Sequence, residues 1–412
     1  MERFNSKIIV LIVVFGAIGA AGLNFITQVV ISRALSVDAY GVFATLMPLI
    51  GACALAVNFG IPNYLLSKYS GVELDAFDYR TIRSTVRLTL ISSFSVMILF
   101  IMATSDILAV NINKYESILF STQVLFLASI ELLLAINQIK FRYKNVAFIQ
   151  LIYPLLRLII VLIIYYFYQE EASLKVYLSA YSIVSILALT HLIMSTSSFK
   201  SLGLRVDFRP ILKGSYNYFL AALTHLIYFQ MNVFLVGIML GSVEAAKYNV
   251  AFLLVSSSLL VCSALVNRYY MPIIHKMAIE NSPDIYQIIR GLVIGLLLIG
   301  FFISAALAVG SDFLIRLIFT EKYMDSSQIM KILLLGLPFT FISSGVGAYL
   351  HTRNHIAGKV KIMTLVAVLN VFLVILFLPI FGSVAAAWVT LLCNMVLCAL
   401  YCHAYFRLRL YV

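Results

Sequence analysis

Two segments half a chain apart, LSVDAYGVF at residues 35–43 and LGSVEAAKYNVAF at residues 240–252, resemble each other. Ser-Val-Asp-Ala (36–39) aligns with Ser-Val-Glu-Ala (242–245), and Tyr40 aligns with Tyr248 after a two-residue insertion. Each segment links two apolar runs of helix length, and the second run of each pair carries a proline near its end, Pro62 and Pro272. The match therefore predicts an internal repeat of half the chain.

The composition around these segments indicates a membrane protein. Of the 412 residues, 63% are hydrophobic and only 11% are charged, and the mean hydropathy is +1.03. An ordinary soluble domain is about half apolar and about a quarter charged. The composition therefore excludes a soluble enzyme, a disordered protein and a disulfide-stapled secreted domain.

Apolar runs of helix length predict twelve membrane spans. They lie near residues 8–31, 42–66, 88–105, 118–139, 146–168, 174–195, 216–240, 248–271, 288–310, 329–351, 360–380 and 384–406. With the N-terminus placed inside, 21 of the 29 Lys and Arg residues fall on the cytoplasmic side. This bias predicts that both termini are cytoplasmic. It also accounts for the net charge of +12 without a nucleic-acid partner.

The repeat and the span count together predict an all-α integral membrane fold of two pseudo-symmetric six-helix halves around a central cavity. We expect an N-terminal half at residues 1–199, a basic cytoplasmic linker at 200–214 and a C-terminal half at 215–412. Two halves of the same orientation are related by an axis along the membrane normal, an arrangement that permits alternating access by rocking.

A family resemblance rests on the segment Arg33-Ala-Leu-Ser-Val-Asp-Ala-Tyr-Gly-Val-Phe (33–43), which follows the first predicted span. This segment resembles the start of polysaccharide transporters of the MOP superfamily, and most of all the Wzx-type O-antigen flippases. The resemblance implies a MATE/MOP-like fold that moves undecaprenyl-diphosphate-linked repeat units from the cytoplasmic to the periplasmic leaflet of the bacterial inner membrane. It also implies a lipid-linked oligosaccharide as substrate and polysaccharide-assembly proteins as possible partners. Lipid II flippases of the same superfamily usually have two further helices.

Two charged residues, Glu131 and Arg157, lie clearly within predicted spans that follow one another. A charge at a helix centre costs about 2.5–3.5 kcal/mol on insertion scales, so such residues usually face a cavity or a partner. One interpretation is an ion pair that neutralises both charges and pins the two helices. In the other, Arg157 faces the central cavity and attracts the substrate diphosphate, while Glu131 exchanges a proton.

Further candidates for the lining of the cavity are polar residues in repeat-equivalent spans. Asn24 and Gln28 lie one helical turn apart in the first span, and His225 and Asn232 lie in the seventh. Arg268 ends the eighth span and is a candidate for holding a diphosphate at the cytoplasmic mouth, because arginine geometry suits phosphate. For each of the uncharged residues, an interhelical hydrogen bond is the alternative.

The sequence contains no serine triad, phosphate-cradling glycine loop, nucleotide motif or zinc spacing. We therefore expect no enzyme activity, no cofactor and no metal site, and a proton or sodium gradient as the driving force. A drug or metabolite antiporter of the related MATE family is the main alternative. A membrane polysaccharide polymerase or ligase ranks third, because the predicted periplasmic loops are short.

Overall fold

A computed structural model describes residues 2–69, 79–106, 112–168, 173–197, 208–280, 284–351 and 356–410. These residues form helices and short connections. The α-helices are α1 (Glu2–Ala34), α2 (Val37–Asn58), α3 (Ile61–Tyr69), α4 (Tyr79–Asp106), α5 (Lys114–Ile139), α6 (Tyr143–Tyr168), α7 (Leu174–Ser197), α8 (Arg209–Leu240), α9 (Ser242–Ser263), α10 (Met271–Ile279), α11 (Ile285–Val309), α12 (Ser311–Phe319), α13 (Ser326–Leu335), α14 (Leu337–Tyr349), α15 (Ile356–Phe381) and α16 (Ser383–Leu410).

Eleven of these helices are long and apolar enough to cross a membrane, and α13 with α14 forms a twelfth span that bends by 42°. The bend falls at Gly336, inside the predicted span 329–351, and the second residue of α14 is Pro338. Proline lacks the backbone N–H that would continue the helix, which explains the break. The prediction of an all-α membrane fold with twelve spans is confirmed.

The helices pack into two compact units, Met1–Leu226 and Ile227–Val412, which divide within α8. The predicted division at residues 200–214 falls mainly on residues 198–207, which lie outside the described part of the chain. The boundaries of the halves therefore remain a prediction.

In the N-terminal unit, α5 is the central helix and packs against α2, α4 and α7, while α1 lies along α6. Helix α5 begins with a capping box: the Asn113 side chain accepts from the Glu116 backbone N–H at 2.9 Å, and the Glu116 carboxylate accepts from the Asn113 N–H at 3.1 Å. These bonds satisfy two of the free N–H groups at the helix start. Leu132 and Leu133 are completely buried in the core around α5.

The second span of this unit is broken between α2 and α3. Phe59 and Gly60 have φ angles of 45° and 70°, in the left-handed region. Gly60 also approaches α8 closely, since a Cβ at this position would lie 2.5 Å from the backbone nitrogen of Phe219. Only glycine meets both the conformation and the spacing here.

At the matching place the second span of the C-terminal unit stays helical but changes its winding. Helix α9 continues through a π-helical turn, Ala264–Tyr270, into α10. Helices α3 and α10 both have nine residues, and both carry proline at the second position, Pro62 and Pro272. The two prolines that the sequence repeat aligns therefore lie at equivalent positions of the two short helices.

Candidate functional site

Glu131 lies on α5 opposite the end of α2. Its Oε2 atom accepts a hydrogen bond from Nδ2 of Asn58 at 2.8 Å. The same Asn58 amide group donates to the Ala128 carbonyl at 3.2 Å, and Asn58 is 1% exposed whereas the Glu131 side chain is exposed. A buried asparagine at the helix break therefore orients the Glu131 carboxylate.

Arg157 lies on α6 and reaches toward α5 and α7. Its guanidinium donates to Oε1 of Gln123 at 2.5 Å. The guanidinium carbon lies 3.5 Å from the ring centre of Phe126 and 4.6 Å from that of Tyr181, so both rings contribute cation–π attraction. The Arg157 Nε atom is buried and has no hydrogen-bond partner.

Glu131 and Arg157 form no ion pair, so the interpretation in which they neutralise each other is wrong. The reason is their register on α5: Arg157 bonds to Gln123, eight residues before Glu131, and eight residues of helix rise about 12 Å. Each side chain is instead hydrogen-bonded to an uncharged amide, Arg157 to Gln123 and Glu131 to Asn58.

In the C-terminal unit, Asn232 is the centre of a buried polar network. Its amide pairs with that of Asn370 through two hydrogen bonds of 3.2 and 3.4 Å, and it donates to Thr390 Oγ1 at 2.8 Å. Thr390 donates its own proton to the Ala386 carbonyl and lies 3.1 Å from the Tyr248 hydroxyl. The network joins α8, α9, α15 and α16, with Asn232 5% and Asn370 1% exposed.

A cavity lies next to this network, entirely within the C-terminal unit. Its lining residues are all uncharged, and they include the rings of Phe229 and Phe252 beside Tyr228, Asn370 and Asn394. The Tyr228 hydroxyl donates to the Asn394 side-chain oxygen. Amide and hydroxyl groups flanked by aromatic rings can bind neutral polar molecules but offer little to a charged one.

The remaining sequence candidates are placed as follows. In the first span, Gln28 accepts a weak hydrogen bond of 3.5 Å from the Tyr40 hydroxyl, and the Asn24 side chain is exposed. His225 is exposed on α8. Arg268 belongs to the π-helical turn, and its side chain lies outside the described part of the structure.

The repeat-equivalent tyrosines, Tyr40 and Tyr248, hydrogen-bond to different spans of their own units. Tyr40 reaches Gln28 on the first span, and Tyr248 reaches Thr390, which also bonds Asn232 on the seventh span. Each tyrosine is completely or almost completely buried, at 0% and 1% exposed.

Sequence reasoning did not identify the partners that hold the candidate residues. Asn58, Asn370 and Thr390 each lie among apolar neighbours, Gln123 follows Ser121 and Thr122, and no spacing links any of them to its partner. The polarity of each one inside an apolar run was the only signal, since membrane helices hydrogen-bond across their interfaces.

Comparison with known proteins supports the fold. A family model described as "Polysaccharide biosynthesis protein" matches residues 30–328. No curated protein matches the chain at a significant level.

Three solved structures share the architecture at low sequence identity. The lipid II flippase MurJ in its inward closed conformation is 15% identical, with a TM-score of 0.74 over 96% of this chain and 87% of MurJ. An inward-facing multidrug resistance MATE family transporter of the MOP superfamily is 12% identical, with a TM-score of 0.73 over 94% of this chain and 93% of that one. A mutant of the Vibrio cholerae MATE transporter VcmN is 12% identical, with a TM-score of 0.64 over 97% and 95%. The MOP-superfamily fold that the sequence resemblance implies is confirmed.

Proposed function

Because the chain belongs to the family of polysaccharide biosynthesis proteins, we propose that it is a flippase for lipid-linked oligosaccharides in the bacterial inner membrane. Its substrates are undecaprenyl-diphosphate-linked repeat units, of O-antigen or a related polysaccharide, and it moves them from the cytoplasmic to the periplasmic leaflet. The solved structures with this fold are transporters and flippases, which agrees with a transport role.

The observation that carries the proposal is that Arg157 has no acidic partner among the described residues. Its guanidinium lies within the spans, and no carboxylate of the described chain pairs with it; an amide and two aromatic rings hold it instead. A cation kept in the membrane without a counter-ion costs free energy, so such residues commonly mark a substrate path. A diphosphate supplies the missing negative charge.

The other polar groups suit the rest of such a substrate. The uncharged cavity of the C-terminal unit offers amide and hydroxyl groups beside aromatic rings, and these match the hydroxyl groups of a sugar. Glu131 is exposed and held by Asn58, and in this proposal it exchanges the proton that couples transport to an ion gradient. Both termini are cytoplasmic, and the two halves rock to give alternating access.

The test is the position of the lipid-linked intermediate in cells that lack this chain. Deletion is expected to leave lipid-linked repeat units in the cytoplasmic leaflet and to abolish the surface polysaccharide. The deletion strain is then given the wild type, Arg157→Gln, or the control Arg290→Gln, which changes an exposed arginine on α11. The role of Arg157 is supported if the wild type and the control restore the surface polysaccharide and Arg157→Gln does not. Unchanged surface polysaccharide in the deletion strain contradicts the proposal. Accumulation in the periplasmic leaflet indicates a polymerase or ligase instead.

A second candidate function is a MATE-type antiporter of drugs or metabolites. The likeness to MATE transporters and the carboxylate of Glu131 favour it, because an acid within the spans attracts cationic compounds. Efflux of cationic dyes from cells that express the chain separates the two functions. The antiporter is supported if the cells export the dye and Glu131→Gln abolishes the export. The flippase is supported if dye efflux equals that of cells that do not express the chain.

A further inference from the structure

Three groups that can carry positive charge meet at the end of the C-terminal unit that is predicted to face the cytoplasm. His275 lies on α10, His351 follows the end of α14, and Lys359 lies in the first turn of α15. The imidazole rings of His275 and His351 are 6.3 Å apart, edge to face at 76°. Lys359 Nζ donates to the carbonyl of Gly347, one helical turn before His351, at 3.0 Å.

This group lacks an acidic partner in the described chain. Neither histidine nor Lys359 forms an ion pair there, and the Glu280 carboxylate on α10 faces Lys276 instead, at 3.8 Å. The pKa of His351 is lowered, first by partial burial and then by the positive charges of Lys359 and His275. Both causes reflect how closely the three groups approach one another.

A structural role explains only part of this arrangement. The bond from Lys359 to Gly347 satisfies a carbonyl in the last turn of α14, where a cation is favourable. That bond needs neither histidine. The His351 side chain is exposed and that of His275 is partly exposed, so an external ligand can reach both.

The geometry points to a phosphate-binding site formed by His275, His351 and Lys359. Imidazole and ammonium N–H groups from α10, α15 and the turn after α14 can surround a tetrahedral anion, and charge-assisted hydrogen bonds to phosphate are short and strong. At the predicted cytoplasmic boundary of the membrane, the phosphate comes from the headgroup of a bilayer phospholipid or from the diphosphate of a polyprenyl lipid. The site does not depend on the transport function proposed above.

The test measures lipid binding to the purified full-length protein in detergent by native mass spectrometry. The probes are dioleoyl phosphatidylglycerol, a polyprenyl diphosphate, and dioleoylglycerol, which carries no phosphate. The variants are His275→Gln/His351→Gln and the control His403→Gln, which changes an exposed histidine on α16. Unfolding temperatures of all variants show whether they are folded. Should the double variant fail to fold, His351→Gln alone serves, because its side chain is exposed.

The expected result is that at least one phosphate lipid binds more tightly than dioleoylglycerol, and that the double variant binds it about tenfold more weakly, the loss of one charged hydrogen bond. The control is expected to bind as the wild type does. The phosphate lipid whose affinity falls more in the double variant identifies the source of the phosphate. Inorganic phosphate should compete with that lipid for the site. Equal binding of dioleoylglycerol, or an unchanged affinity in the folded double variant, overturns the proposal.

Discussion

The hydrogen bond between Asn58 and Glu131 can be tested by a double-mutant cycle. Asn58→Leu removes a buried amide and keeps its approximate volume, and Glu131→Leu removes the carboxylate that accepts from it. Asn58 Nδ2 lies 2.8 Å from Glu131 Oε2, which is a short distance for this pair of atoms. The cycle isolates the energy of that contact from the other effects of each substitution.

The expected magnitude follows from the two bonds of the Asn58 amide. A hydrogen bond to a charged group contributes about 1.5–3 kcal/mol, and an average neutral bond between membrane helices about 0.6 kcal/mol. Asn58→Leu loses one bond of each kind: the bond to the Glu131 carboxylate and the bond to the Ala128 carbonyl. We therefore expect the free energy of unfolding to fall by about 2–3.5 kcal/mol, with a coupling of about 1.5–3 kcal/mol to Glu131→Leu.

The assay is reversible unfolding in mixed micelles as the fraction of dodecyl sulfate rises, followed by circular dichroism. Asn137→Leu is the matched control: Asn137 is also buried, at 6% exposed, but donates only to Leu133 of its own helix. Asn137→Leu should lower the free energy of unfolding by about 1 kcal/mol and show no coupling to Glu131→Leu. A coupling of about 0.6 kcal/mol or less between Asn58→Leu and Glu131→Leu would refute the reasoning, because it is the value of a neutral pair.

Three further predictions concern other parts of the chain. Gly60→Ala should lower the free energy of unfolding by about 2–5 kcal/mol in the same assay, because alanine would adopt a left-handed φ and clash with the backbone of Phe219. The control Gly295→Ala should not destabilise the protein, because the space around Gly295 is open. Arg157→Met should reduce the flipping rate of a lipid-linked oligosaccharide in vesicles more than tenfold, with partial recovery in Arg157→Lys, since lysine keeps the charge but not the planar geometry; normal transport by the methionine variant would remove Arg157 from the substrate path. Ser327 and Lys331 hold the pKa of Asp312 below its ordinary value of 3.8. The contribution of Asp312 to stability is therefore complete above about pH 4 and is lost as the pH falls through the lowered pKa. Asp312→Asn should remove this acid-dependent loss from the unfolding midpoint.

Much of the fold could be predicted from the sequence because a membrane imposes one simple requirement. A spanning helix needs an apolar run of a certain length, and each predicted span overlaps a helix or the bent pair, although the span predicted at 42–66 runs past the end of α2 into α3. The bend at Gly336 and the π-helical turn Ala264–Tyr270 were not predicted, since both lie within uninterrupted apolar runs. Helix α12 was also missed, because at nine residues it is too short to be recognised as a span.

The candidate site could be predicted only as a set of polar residues, without their partners. The sequence singles out Glu131 and Arg157, because charged residues are rare in membrane spans. Whether they contact each other depends on how α5 is rotated against α6 and α2, and an apolar run contains no information about that rotation. The register that places Gln123, rather than Glu131, opposite Arg157 is a property of the packed unit.

The two units share a backbone plan but differ in the polar groups they enclose. In each unit the second span is followed by a nine-residue helix with proline at its second position. The N-terminal unit holds a carboxylate and a guanidinium, each bound by an amide, whereas the cavity of the C-terminal unit is lined by uncharged groups. Because the repeat can supply the same scaffold twice, a difference in polarity between the units must come from their side chains.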